Sequence, residues 1–333
     1  MSSHKSRLIG VFILVIILPV ILTACEIGDT TDDGVEEDGV ITEYSEYEVE
    51  YYTDSTSAEK IWMPIPKNWV GRGINELEIL DIEPEPKKVY TDEHGNEIAY
   101  WENESNEEKQ YEIEFEVALS NINHNISEND YDIEYDQDSS IHQKYTSATD
   151  KTQSDAFAIK EKAEEIVGNT EDPMDKAEEI VKWTAANINY SDDVPYDMPD
   201  ALSVLKHQKG GCGAFANIFV ALSRAADIPA RNVSLLHNPY YDEFQTGEHG
   251  DAFWAHIIVE FYLQDYGWVQ VDPSKTDWFG NIEEEMIILT KGNEFKLRNS
   301  EPFTRDVWFH LPVRELDGYR SQIGTNMKVD KLD

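Results

Sequence analysis

The stretch GGCGAFANIFVALSRAADIPAR, residues 210–231, decides the fold, because a glycine pair leads directly into a helix with one apolar face. Its apolar positions recur at the spacing i, i+3, i+4 and i+7: Phe215, Ile218, Phe219, Leu222. This spacing is typical of a helix buried against a core. Gly210 and Gly211 interrupt regular structure before it, so we predict that Cys212 lies at or just inside the helix N-terminus. Unpaired N–H groups and the positive end of the helix dipole favour a thiolate there.

Cys212 is one of two cysteines in 333 residues, and the other is Cys25. From the residues alone, Cys212 could be half of a disulfide, a metal ligand, an inert core residue or a nucleophile. A zinc site needs more thiol or imidazole ligands than one cysteine near one histidine. We therefore expect neither a metal nor a cofactor.

Two alternating segments downstream, FWAHIIVEFYL and GWVQVDPS, predict a β-hairpin. The alternation puts His256 of the first strand and Asp272 of the second on the same face. A turn centred on residue 264 would make these two residues direct cross-strand neighbours, with Cβ atoms roughly 5 Å apart. A carboxylate beside an imidazole fixes its tautomer and stabilises its cation. The pattern favours a site that combines Cys212, His256 and Asp272.

The motifs GGCGAFANIFVALSRAADIPAR, AHIIVEF and GWVQVDPS, in this order, resemble the transglutaminase-like superfamily, whose core resembles papain-like cysteine proteases. The resemblance covers roughly residues 170–280. It implies that Cys212 is the nucleophile, His256 the general base and acid, and Asp272 the orienting carboxylate. It also implies a protein or peptide amide substrate and a thioester intermediate. The thioester could be resolved by water, as in a peptidase or amidase, or by an amine in transamidation.

Two positions depart from the pattern of that family. Ile258 stands where a tryptophan is frequent, and Asp227 precedes IPAR where glycine is usual, although aspartate tolerates a left-handed backbone. We predict that four residues line the cleft: Trp254, Ile258, Gln270 and Gly211. The acidic, aromatic loop HNPYYDEFQTGEHGD contains His237 and His249, and we interpret it as a solvated loop.

The first 24 residues are unlike the rest of the chain. MSSHKSR carries Lys5 and Arg7 and is followed by the apolar run LIGVFILVIILPVILTA, which is typical of an export signal. The run ends in LTAC at Cys25 and resembles the lipobox of bacterial lipoproteins, which implies that Cys25 is lipidated. The alternative is an uncleaved transmembrane anchor. Both predict a protein at the cell membrane that faces outside the cytoplasm, and a lipidated Cys25 would leave Cys212 without a disulfide partner in the chain.

The formal net charge of −40 argues against a nucleic-acid partner, because binding to phosphates requires cationic side chains. We interpret the acidity as an adaptation to a salty or alkaline exterior.

The spacing of apolar residues changes along the chain. Strict alternation in YEVEYY and YEIEFEVAL predicts half-buried antiparallel strands. DPMDKAEEIVKWTAANI predicts a helix with Asp172 as its cap and Pro173 at its first position. The predicted divisions are a signal peptide at 1–24, an acidic tether at 25–42, a β-sandwich at 43–120, an acidic irregular linker at 121–153, a transglutaminase-like catalytic domain at 154–300 and a C-terminal extension at 301–333. The predicted fold class is α+β, an antiparallel β-sandwich followed by a transglutaminase-like or papain-like domain.

Two other classes of protein remain as alternatives. A non-catalytic binding or scaffold lipoprotein could retain the same fold, and loss of the Cys, His or Asp would mark it, whereas all three are present. A substrate-binding lipoprotein of a transporter would show alternating strands and helices, a pattern that this chain lacks.

Overall fold

The computed structural model describes residues 44–55, 57, 59–69, 74–191, 199–237, 254–282, 285–293, 295, 297, 298, 312–316, 319–322 and 326–332. The predicted signal peptide and tether lie outside these residues, so export and lipidation of Cys25 stay predictions. No helix in the described ranges is long and apolar enough to cross a membrane.

Within the described ranges, strands dominate the two ends of the chain and helices its middle. The strands are β1 (Ser45–Ser55), β2 (Glu59–Ile65), β3 (Ile74–Glu83), β4 (Lys88–Thr91), β5 (Glu97–Asn103), β6 (Lys109–Leu119), β7 (Ile122–Asn123), β8 (Asn189–Tyr190), β9 (Lys209–Gly210), β10 (Ala230–His237), β11 (Trp254–Leu263), β12 (Gly267–Val271), β13 (Asn281–Ile282), β14 (Met286–Lys291), β15 (Val313–Leu316), β16 (Tyr319–Gln322) and β17 (Asn326–Leu332). The helices are α1 (Ser140–Thr146), α2 (Phe157–Val167), α3 (Pro173–Asn187), α4 (Ala201–His207) and α5 (Cys212–Ala225).

Two antiparallel sheets, in the orders β17-β1-β6-β3 and β16-β15-β2-β5-β4, form a β-sandwich. The alternation in YEVEYY buries Tyr47, Val49 and Tyr51, as the sequence predicts. These side chains share one hydrophobic cluster with Met63 and Trp101 of the facing sheet. Packing between the two inner faces is what a sandwich requires.

Strands from the C-terminal end of the chain complete both sheets. β17 pairs with β1, with Val329 opposite Val49, and β15 pairs with β2, with Val313 opposite Trp62. The sequence predicted only an extension here, because no local pattern reveals a pairing between residues so far apart along the chain.

The middle of the chain packs helices against a sheet of order β12-β11-β10-β14. Helix α3 begins as predicted, since the Asp172 carboxylate accepts from the N–H groups of Met174 and Asp175. Ile257, Val259 and Phe261 of β11 share a hydrophobic cluster with helix α5. The predicted α+β fold, a sandwich followed by helices and an antiparallel sheet, is confirmed.

The predicted linker contains ordered structure. Helix α1 begins after Ser139, whose hydroxyl caps His142 N–H, and Tyr145 on this helix is buried. The expectation of an irregular segment at 121–153 was therefore wrong for this part. This helix has only seven residues, which is too short for a clear helical spacing of apolar side chains. The acidic composition of the segment suggested a linker instead.

The sheet that carries β11 is buried on both faces. On the side away from α5, Leu235, Ile258 and Ile288 belong to the same cluster as the core of the sandwich. The two parts of the chain therefore share a continuous apolar core, and the sheet lies between α5 and the sandwich.

The outer face of the sheet β17-β1-β6-β3 carries rows of carboxylates. Cross-strand neighbours are Glu48, Glu116 and Glu78 in one row, and Glu50, Glu114 and Asp81 in the next. Like charges that lie opposite one another destabilise a sheet. Partial burial and, after it, the surrounding carboxylates raise the pKa of Glu114 above its ordinary value. Folding therefore becomes less favourable as this carboxyl ionises.

We predict that Glu114→Gln stabilises the protein at low salt by roughly 0.2–1 kcal/mol, because it removes cross-strand repulsion. The gain should shrink as salt is raised, since salt screens surface charges. Urea unfolding at low and high salt measures this difference. Glu108→Gln, in an exposed turn, is the control and should change stability little in either condition. A gain in Glu114→Gln that is independent of salt would contradict the repulsion.

Candidate active site

The first turn of α5 places Cys212. The helix begins at Cys212, and the N-cap Gly211 has an extended backbone with no side-chain cap. Gly210 has a φ of 157°, and a Cβ there would lie 2.3 Å from the Cβ of Ala214. Only glycine allows the chain to approach the helix this closely. A Cβ on Gly211, by contrast, would meet no atom of the described residues within 4 Å, so that part of the structure leaves space directly beside Cys212.

Cys212 is a free, partly exposed cysteine, and its thiol is close enough to the His256 ring to raise the pKa of that histidine. On the other side of the ring, His256 Nε2 lies 2.9 Å from Asp272 Oδ2. This leaves Nδ1 as the ring nitrogen available to Cys212. The structure thus brings together all three residues that the sequence singled out, with the imidazole between the thiol and the carboxylate.

Asp272 is buried, with 1% of its side chain exposed, and its carboxylate and its backbone N–H are both hydrogen-bonded. Its Oδ1 accepts from Ser274 N–H at 2.9 Å and from the Ser274 hydroxyl at 2.6 Å. Its own N–H donates to Trp278 O at 3.1 Å. The sequence analysis did not identify Ser274. The available signal was the spacing in DPS, since an aspartate often accepts from the residue two positions on.

Burial and pairing act against each other on His256. Desolvation alone would lower the pKa of His256, but Asp272 and then Cys212 outweigh it and raise the pKa to about 10. Burial likewise would raise the pKa of Asp272, but His256 and then Ser274 hold it below its ordinary value. The site therefore stabilises an imidazolium beside the Asp272 carboxylate at neutral pH.

The register of the hairpin differs from the prediction by two residues. Val259 pairs with Val271 and Leu263 with Gly267, so the turn is centred on Asp265 and Asp272 lies diagonal to His256, not opposite it. Asp265 adopts a positive φ of 68°, which permits the shifted turn. A shift by two keeps each side chain on its face. His256 and Asp272 therefore still meet.

Two of the four residues predicted to line the cleft do not do so. Ile258 and Gln270 have no exposed surface. Ile258 belongs to the apolar cluster of the sandwich, and Gln270 is hydrogen-bonded to Glu260 and His124, which local alternation could not reveal. Among the described residues, nothing fills the space beside Gly211. The side chain of Trp254 lies outside the described residues.

A buried polar network supports the hairpin beside Asp272. Glu260 pairs with Gln270 across the strands and accepts from its amide at 2.8 Å. The other Glu260 oxygen accepts from Arg231 Nε at 2.9 Å, and Lys291 Nζ lies 3.3 Å from the first. A second guanidinium nitrogen of Arg231 lies 2.8 Å from the same carboxylate oxygen as its Nε. Buried charges of this kind must be paired to be tolerated.

His237 lies closer to the site than the sequence indicated. It is the last residue of β10, where it pairs with Trp254, and is not in a solvated loop. Its ring centroid lies 4.8 Å from that of His256, with 33° between the planes. His237 is the last residue of the eight-residue strand β10, and the sequence pattern does not show whether a polar residue at that position ends the strand or begins the loop. His249 lies outside the described residues.

In the parts of the chain that the structure describes, no three His, Cys, Asp or Glu side chains are grouped as metal ligands would be.

The comparisons with known proteins agree with this geometry. Residues 160–273 match the profile of the transglutaminase-like superfamily. The crystal structure of a proposed cysteine protease from Cytophaga hutchinsonii superposes with a TM-score of 0.57 at 16% identity, over 88% of this chain and 92% of that one. The periplasmic domain of TgpA from Pseudomonas aeruginosa gives a TM-score of 0.36 at 14% identity, over 68% and 73%.

One relative matches in sequence. An uncharacterized protein of Haemophilus influenzae is 33% identical over 161 residues, which is 43% of this chain and 42% of that protein. The match thus spans less than half the length of this relative. The segment 160–273 is thus similar to transglutaminase-like domains.

We predict that Asp272→Asn lowers the pKa of His256, because it removes the carboxylate that stabilises the imidazolium. In the wild type, the His256 ring should stay protonated through neutral pH and titrate near pH 10. Imidazole ¹⁵N resonances followed as a function of pH measure both proteins. A wild-type ring that titrates near its ordinary value of about 6.5 would contradict the ion pair.

The same shift predicts how stability depends on pH. A raised histidine pKa stabilises the fold fully below about pH 6.5, and this contribution is lost as the pH rises towards 10. The lowered pKa of Asp272 contributes above about pH 4 and is lost in acid. The stability advantage of wild type over Asp272→Asn should therefore be largest between about pH 4 and 6.5 and shrink above it. Urea unfolding across this range measures it, and a constant advantage would speak against the linkage.

Proposed function

We propose that this protein is a thiol enzyme that acts on amide bonds by acyl transfer, with Cys212 as nucleophile, His256 as acid and base, and Asp272 as the orienting carboxylate. The observation that carries the proposal is the position of the His256 ring. Its Nε2 lies 2.9 Å from the buried Asp272 carboxylate, and the Cys212 thiol at a helix N-terminus is near enough to raise its pKa. Nucleophile, base and orienting group in this order constitute the arrangement that activates a cysteine.

In the first half of the reaction, the Cys212 thiolate attacks the carbonyl carbon of the amide. Negative charge develops on the carbonyl oxygen, beside the start of α5. The first N–H groups of a helix lack intrahelical acceptors, and no side chain caps this helix. These groups can therefore donate to the developing oxyanion. The His256 imidazolium gives its proton to the leaving amine as the C–N bond breaks, and an acyl thioester on Cys212 remains.

In the second half, the thioester is resolved. Water, or a second amine, attacks the thioester carbonyl while neutral His256 takes its proton. The C–S bond breaks, and the thiolate and imidazolium are restored. Asp272 holds His256 Nε2 in both halves, so Nδ1 stays directed at the reacting groups. Hydrolysis is the outcome we favour, since water is abundant at an exposed surface and the similar Cytophaga structure is itself described as a proposed protease.

We further propose that the enzyme is exported and held at the cell membrane by a lipid on Cys25, where envelope proteins or peptides would be its substrates. The charged start, the apolar run and LTAC support this. The acidic segment that follows Cys25 would act as a tether between the membrane and the folded part.

Alkylation by iodoacetamide tests the activation of Cys212. At pH 6.5, wild type should react at least about tenfold faster than His256→Gln, because the imidazolium stabilises the thiolate that attacks the reagent. Cys212→Ala should not be labelled at this position, as peptide mapping would show. Equal rates in wild type and His256→Gln would remove the basis for a nucleophile and favour the alternative of a non-catalytic binding module.

Activity on casein tests the reaction itself. We expect wild type to release peptides, and Cys212→Ala to lose roughly a thousandfold or more of this activity, as removal of a nucleophile does elsewhere. Incorporation of a fluorescent amine into casein, measured in parallel, reports transamidation. Incorporation without peptide release would replace hydrolysis by transamidation as the outcome.

Mass spectrometry of the membrane fraction tests the anchor. We expect a mature N-terminus at Cys25 that carries a diacylglyceryl group, and Cys25→Ala should release the protein from the membrane or leave it unprocessed. An intact apolar N-terminus in wild type would show the transmembrane alternative instead.

A further inference from the structure

A tyrosine that the proposed mechanism does not use is tied to the chain just before Cys212. The short strand β8 pairs in parallel with β9, which places Tyr190 beside Gly210 and Asn189 beside Lys209. Ser191 N–H donates to Gly210 O at 3.1 Å. Paired strands lie about 4.8 Å apart, so the backbone of Tyr190 is fixed within about 12 Å of the nucleophile.

The ring of Tyr190 also rests on the helix that carries the nucleophile. Its centroid lies 6.2 Å from that of Phe215, with 33° between the planes. Phe215 is 3% exposed and lies three residues after Cys212 on α5, hence on the same side of the helix. The ring of Tyr190 itself is 60% exposed. An aromatic surface is thus held beside the first turn of α5 and open to solvent.

Exposure alone would mean little, because single exposed aromatic residues are common on protein surfaces. Here the surroundings add to it. Gly210 packs closely against Ala214, whereas no atom of the described residues lies within 4 Å of a Cβ placed on Gly211. Among the described residues, the chain before Cys212 is therefore packed at Gly210 and uncovered at Gly211, where a substrate chain can approach.

The Tyr190 ring itself indicates which side chain this surface would accept. An aromatic or large apolar side chain would gain from packing on the ring, as Phe215 already does on one side of it.

We propose that Tyr190 forms a substrate-binding subsite for an aromatic or large apolar side chain next to the carbonyl that Cys212 attacks. This proposal rests on the proposed function of Cys212. It narrows the substrates to peptide segments with such a residue at the acyl side of the bond.

Irreversible inhibitors that differ only in this side chain test the subsite. Benzyloxycarbonyl-phenylalanyl chloromethyl ketone and its glycyl analogue both alkylate a thiolate, with formation of a C–S bond and release of chloride. Inactivation rates as a function of inhibitor concentration separate KI from the rate of the chemical step. Wild type should prefer the phenylalanyl compound through a lower KI.

Tyr190→Ala should raise KI for the phenylalanyl compound about 3- to 10-fold, while KI for the glycyl compound changes less than twofold. Tyr190→Phe should keep the wild-type KI, because the ring and not the hydroxyl makes the contact. Tyr44→Ala is the matched control, since Tyr44 is 56% exposed on the sandwich before β1, and it should leave both constants unchanged. The rate with iodoacetamide, which has no side chain to bind, reports the thiol itself.

Three results would overturn the subsite. Tyr190→Ala could leave both KI values unchanged, or it could raise them equally. It could also slow iodoacetamide as much as the phenylalanyl compound, which would show that Tyr190 acts on the thiol or on the helix. Failure of the proposed function gives a result that differs from these three. Wild type would then react slowly with iodoacetamide and with both ketones, and the subsite proposal would be wrong as well.

Discussion

Burial of helix α5 is the constraint on which the rest of the structure depends. From Gly213 to Arg224 its residues are buried, and Ile257 and Phe261 of β11 share its hydrophobic cluster. Protein interiors are packed too densely for such a helix to slide or rotate. Its first residue, Cys212, is therefore fixed in space by an apolar core, and the same strand that packs on the helix supplies His256. Packing along the whole helix therefore determines where the Cys212 thiol lies.

The second constraint is electrostatic. An imidazolium and a carboxylate in a nearly dry site are costly unless each is paired. Asp272 meets this condition with His256 on one oxygen and Ser274 on the other. Beneath them, Glu260 joins β11 to β12 through Gln270 and is itself neutralised by Arg231. The pairing raises the pKa of His256 to about 10, so the ring is charged under conditions in which an isolated histidine would be mostly neutral.

Local periodicity predicted the helices and strands and the side chains that share a face. It did not predict which distant segments pack on each face. The i, i+3, i+4 stripe located α5, and alternation put His256 and Asp272 on one side of a hairpin, even though the register was wrong by two residues. Alternation could not show that Ile258 faces the sandwich, because that contact joins segments far apart in the chain. The pairing of β17 with β1 was hidden for the same reason. Ser274 was missed because its role depends on a turn, which leaves almost no periodic signal.

The most direct test of the central claim, that Cys212 is a nucleophile that forms a thioester, is to trap the acyl enzyme. The protein is mixed with p-nitrophenyl acetate near pH 7, quenched in acid within seconds and mapped by peptide mass spectrometry. The account predicts a single acetyl group on Cys212 that hydroxylamine removes, and that does not accumulate at this position in His256→Gln. Acetyl groups scattered over lysines, or acetylation of Cys212 that is equally fast without His256, would contradict it.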